Sequence, residues 1–143
     1  MSVRVTAEAI VNPTEDESKV SRALLNIFPE AKLEKHSRTE SVGVLRLHGE
    51  GIEFLSTLRG LIRQERIRVA ARKIILGKTR GQRIMIYLHK QAAFVGRISF
   101  CEPVGESPHG PISIEINAAD PEGVIDYLAA RPGQPGFQRF RDK

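Results

Sequence analysis

Arginine dominates the chemistry open to this sequence. Arg59, Arg63 and Arg66 recur at i, i+4 and i+7, and Arg68, Arg72 and Lys73 follow in the next helical pattern. Helical spacing puts each set on one face, opposite the apolar positions, so both sets are expected to point outward. A guanidinium is a planar fork of donors that binds two phosphate oxygens at once. Lys78, Arg80, Lys90, Gln91 and Arg97 extend the series. From Arg59 to Arg97 there are eleven Lys/Arg and one acid, Glu65, so the segment carries +10. The whole chain carries +5, which leaves −5 on the remainder. A charge distribution polarised in this way attracts polyanions. A solvated helix face is the plainer explanation, and the shortage of local acids weighs against it.

Other chemistries find little support. Gly77-Lys78-Thr79 resembles the end of a phosphate-binding loop, but Arg72 stands where that loop needs its first glycine. The loop also needs a helix after it, and here the helical pattern comes before it. One cysteine, Cys101, and four scattered histidines, His36, His48, His89 and His109, give no zinc-ligand spacing. No Gly-x-Ser-x-Gly elbow occurs. Neither a metal nor a cofactor is expected, and no enzyme activity. An acid–base pair assembled only in three dimensions stays open.

The elements that must hold these side chains follow from periodicity. Residues 2–11 alternate as a strand, with Val3, Val5, Ala7, Ala9 and Val11 on one side. Thr14-Glu15-Asp16-Glu17 reads as a capping box, with Thr14 as N-cap and Glu17 reaching back. It opens a helix through Val20, Leu24, Ile27 and Phe28, which Pro29 stops. Strands are expected near 31–36 and 42–48. Gly51 opens a second helix along Ile52, Leu55, Leu58 and Ile62. A third carries Ile67, Ala70, Ala71, Ile74 and Ile75, with Gly77 as its cap. Strands follow at Ile84–Leu88, at Ile98 and Phe100, and at Ile112–Ile116. Asp120-Pro121 starts a last helix to about Ala130.

The order is β-α-β-β-α-α-β-β-β-α. Without strict βαβ alternation it predicts a single α+β domain over 1–130, with a mostly antiparallel or mixed sheet and helices on one face. Residues 131–143, rich in Pro and Gly, read as a loosely held tail. The sheet's other face would show Arg4, Thr6, Arg46, His48, Tyr87, His89, Arg97, Ser99, Ser113 and Glu115, facing solvent, RNA or a second subunit in a homodimer. There is no secretory or membrane-spanning pattern, and a lone cysteine fits a reducing compartment, so a cytoplasmic protein is expected.

The run from Leu88 to Arg97 is unusual, with Ala92, Ala93 and Gly96 among polar Lys90 and Gln91. Phe94 is expected in the core, with base stacking as the alternative. Lys90 and Gln91 are costly to bury and are expected to be exposed and to serve binding.

At this run the sequence resembles an archaeal family of unknown function that is described as RNA-binding. The resemblance is carried by Asn12–Glu17, Arg63–Ile67 with Ala70–Arg72, His89–Gly96 with Ser99-Phe100, and Glu106–Pro108 with Gly110–Ile112. It implies a fold like that of the large-subunit ribosomal protein that binds 5S rRNA, and a related branch is predicted to be exosome-associated. It brings no catalytic residues. The expectation is therefore a non-catalytic RNA-binding domain whose two basic helices grip phosphates. The alternative is an adaptor in an RNA-processing or ribosome-associated assembly.

Overall fold

The structure, a computed structural model, describes residues 2–103 and 110–131. The tail from 132 onward and the Glu106–Pro108 motif lie outside the described residues.

Strand β1 (Val3–Val11) buries every second side chain, as its alternation requires. Helix α1 (Glu17–Ile27) buries Val20, Ala23, Leu24 and Ile27. Its N-cap is Asp16, whose carboxylate accepts from the Ser18 amide at 2.9 Å. The expected cap at Thr14 is thus displaced by two residues. The reason is that Glu15 turns away to accept from the Asn12 amide, while Glu17 pairs with Lys35 at 2.7 Å.

β2 (Glu34–Ser37) is a short exposed edge strand, later than the expected 31–36. Ala31 and Leu33 pack on the core without joining the sheet. β3 (Gly43–Glu50) pairs with β1, Ala7 opposite Leu47. A 3-10 turn over Ile52–Leu55 leads into α2 (Ser56–Gln64), then α3 (Arg68–Gly77). Gly77 is the last helical residue rather than the cap, which is Lys78.

β4 (Thr79–Arg80) and β5 (Arg83–Leu88) form a tight hairpin through Gly81, whose φ of 60° favours glycine. α4 (Lys90–Phe94) follows, then β6 (Ile112–Ala118) and α5 (Pro121–Leu128), capped by Asp120 onto the Gly123 amide. The strand expected at Ile98 and Phe100 is only a bridge from Phe100 to Leu88. Helix α4 and Gly96, at φ 78°, bring the chain back for too short a run to continue the ladder. The sixth strand is β4 instead, and α4 is an added turn of helix.

The sheet order is β2-β3-β1-β6-β5-β4, antiparallel throughout. Ala7, Leu47, Ile114 and Ile86 share its buried face with Leu24, Leu58, Ile62, Ile75 and Ile125 from the helices. One core and helices on one face make this an α+β domain.

Candidate nucleic-acid interface

The basic segment does not form one outward stripe. α3 is rotated relative to the apolar pattern, so that Arg68 is buried with Ala71 and Ile75. Val69, Ile74 and Leu76 are exposed instead, at 65%, 40% and 44%. Arg72 is turned inward: its guanidinium donates to Asp126 at 2.7 Å and to the Ala129 carbonyl at 3.1 Å. That carbonyl lies at the C-terminus of α5, where the helix dipole favours a cation. Arg59, half-buried on α2, donates to the Tyr127 carbonyl and lies 4.9 Å from the Tyr127 ring centroid. Arg59 and Arg72 therefore tie α2 and α3 to α5, which corrects the expectation that these arginines, with Arg68, all face solvent.

The remaining bases differ in what offsets their charge. Lys78 pairs with Glu102 at 2.9 Å, and Arg80 donates to the Gly77 and Thr79 carbonyls. Arg97 makes a two-pronged contact with Glu65, which lowers the Glu65 carboxyl through that hydrogen bond. Arg63 is half-buried, and Lys73 and Arg66 are exposed. Arg66 sits at φ 59° in the turn between α2 and α3, a left-handed conformation that is uncommon outside glycine. Four of the bases, Arg59, Arg66, Lys73 and Arg80, meet no carboxylate among the described residues.

Lys90 overturns its expected role most clearly. It is 3% exposed, and its ammonium donates to the Ile10 carbonyl and to both oxygens of Glu15. Burial pushes the Lys90 pKa down, and Glu15 opposes this. For Glu15, burial raises the pKa, but hydrogen bonds from Asn12 and Lys90 outweigh it and the carboxyl ends lower than usual. Lys90 can be buried because a partner carboxylate and a carbonyl at the end of β1 are both in reach. Gln91 is exposed, as expected. Phe94 is partly buried and packs against the core.

These residues bring a feature into view that the basic pattern did not reveal. α1 and α4 border a groove of about 510 Å³, lined by Lys19, Lys90, Gln91, Phe94 and Val95 among others. Lys19 Nζ stands 5.9 Å from the Phe94 ring centroid. Asn26 donates to the Ala93 and Phe94 carbonyls and locks α4 onto α1. Lys19, Arg22 and Asn26 fall at i, i+3 and i+7, one face of α1. That spacing was legible, but only the packing of α4 gives it a partner.

The open sheet face is partly self-neutralised. Arg46 pairs with Glu8 at 2.9 Å, and Arg83 with Glu115 at 3.4 Å. His89, Arg97 and Ser99, expected on this face, lie outside the strands. No group of three or more His, Cys, Asp or Glu able to hold a metal ion occurs among the described residues, and no helix among them is long and apolar enough to cross a membrane.

A family model described as RNA binding matches residues 4–118. A UPF0201 protein of Aeropyrum pernix is 42% identical over 142 residues, covering 96% of this chain and 93% of that protein. A UPF0201 protein of Sulfolobus acidocaldarius is 38% identical over 131 residues, covering 90% and 88%. The crystal structure of a UPF0201 protein from Methanococcus jannaschii is similar, with a TM-score of 0.80 and 32% identity, over 94% of this chain and 97% of that one.

Proposed function

Because this chain belongs to the archaeal UPF0201 family and matches a family model described as RNA binding, we propose that it binds RNA and does not turn it over. The observation that carries this reading is the charge left over on α2, α3, the turn between them and β4. Eleven bases lie between Arg59 and Arg97, and Arg59, Arg66, Lys73 and Arg80 have no carboxylate partner among the described residues. A base with no acid beside it gains most from a phosphate, because binding then releases a condensed counterion. Arg66, Lys73 and Arg80 are the exposed members and make the phosphate contacts. Arg59, Arg72 and Lys90 hold the elements that carry them. A reducing cytoplasm, where RNA is abundant, suits a chain whose single cysteine, Cys101, is buried.

The test is an RNA titration across salt concentrations with the triple variant Arg66→Gln, Lys73→Gln and Arg80→Gln. Wild type should bind with a steep salt dependence. The variant should bind less tightly, with a slope smaller by roughly 0.7–0.9 per lost contact. An unchanged affinity and slope would sink the phosphate reading. Exposed Val69, Ile74 and Leu76 on α3 favour a second reading, an adaptor for a protein partner. Absence of RNA binding at low salt would support that second reading.

A further inference from the structure

We propose that the groove between α1 and α4 receives one unstacked base of single-stranded RNA, with Lys19 and Arg22 on the flanking phosphates. The inference rests on the RNA-binding reading and adds to it a place and a ligand class.

The groove has the parts that such a base requires. Phe94 packs on the core and also lines the opening, so it offers a fixed aromatic surface. Its electron-rich face already attracts a cation, the Lys19 ammonium at 5.9 Å. Lys19 is exposed on a flexible stem, and a solvated cation–π contact is weaker than a base stacked on an aromatic ring. A base entering the groove therefore displaces the ammonium, which remains within reach of the neighbouring phosphate. Gln91 is exposed on the rim and offers an amide with both donors and an acceptor, the groups that read a base edge. Val95, 66% exposed, extends the apolar wall.

The groove is also held open at a set width. Asn26 clamps α4 to α1 through two carbonyls, and the buried Lys90–Glu15 pair anchors the first residue of α4 beneath it. A preformed site avoids the cost of ordering on binding. Its charge also suits the occupant. Glu15 is neutralised by Lys90, and Asp16 is turned onto the Ser18 amide and hydroxyl. Lys19 and Arg22, both exposed, then face the sugar–phosphate chain. Duplex RNA keeps its bases stacked and cannot present one here.

The experiment uses the full chain and a single-stranded RNA 12-mer carrying one 2-aminopurine, beside a duplex of the same sequence. Its variants are Phe94→Leu, which keeps apolar volume but removes the π-face, and Lys19→Gln, which lies outside the core. Wild type should change the 2-aminopurine emission on binding the single strand. Phe94→Leu should lose that change and bind the single strand roughly tenfold or more weakly, with duplex affinity unaltered. Lys19→Gln should weaken single-strand binding and lower its salt slope. If Phe94→Leu melts early, Lys19→Gln and Gln91→Ala carry the test. Single-strand binding that none of these variants changes would overturn the groove and leave the RNA reading intact. Failure of wild type to bind any RNA would overturn both.

Discussion

Lys90 Nζ lies 2.9 Å from Glu15 Oε1 and also donates to the Ile10 carbonyl, joining residues 75 positions apart in a side-chain pair that is almost wholly buried. This pair fastens α4 to the turn between β1 and α1. It marks the point at which the most distinctive run of the sequence becomes structural.

Breaking the pair from one side should be severe. Lys90→Met leaves the Glu15 carboxylate buried without its cation and should cost about 3–5 kcal/mol. Adding Glu15→Gln keeps an acceptor for the Asn12 amide and removes the orphaned charge, so the double variant should recover most of the loss. Urea melts of the two single variants and the double variant measure this coupling. Additive losses would show that the residues act independently.

Acid should weaken the fold through the same carboxylate. In the folded chain the Glu15 carboxyl lies below its ordinary value of 4.5: burial pushes it up, but the hydrogen bonds from Asn12 and Lys90 outweigh burial. As pH falls, the unfolded chain takes up the proton first, which favours unfolding. The stabilisation is intact above 4.5 and is lost as pH drops through the lower folded value. Glu65, held low by Arg97, adds to the same trend. Stability measured from neutral pH down to pH 3 should fall in wild type and fall less in Glu15→Gln. Identical pH profiles would remove Glu15 from this account.

Arg66 allows charge to be separated from stability. Its left-handed φ of 59° costs a non-glycine residue about 1 kcal/mol. Glycine relieves that cost, although it also gains freedom in the unfolded chain. Arg66→Gly should therefore leave stability unchanged or raise it by up to about 1 kcal/mol, while RNA affinity falls. Thermal melts beside an anisotropy titration test both halves. A destabilised variant that binds normally would assign Arg66 to the turn alone.

The residue pattern alone sets the inner faces of β1, β5 and β6, although it missed β4 and put a strand at Ile98 and Phe100 where there is only a bridge. Aliphatic residues at every second position of Val3–Val11, Ile84–Leu88 and Ile112–Ile116 share one side, because a strand's period is two and a one-residue slip would expose all of them. It also determined that a basic segment runs from Arg59 to Arg97, since charge is additive along a chain. Tertiary structure decided which of those bases are available. The helical pattern of α3 is ambiguous, because Ala70 and Ile74 form as good a stripe as Ala71 and Ile75. Asp126 and the α5 C-terminus resolve it by drawing Arg72 inward. Lys90 reads as a surface residue until Glu15 and the Ile10 carbonyl, both remote in sequence, supply its hydrogen bonds. A charge is buried or exposed according to the partner within a few ångströms, and that partner is set by how the helices pack.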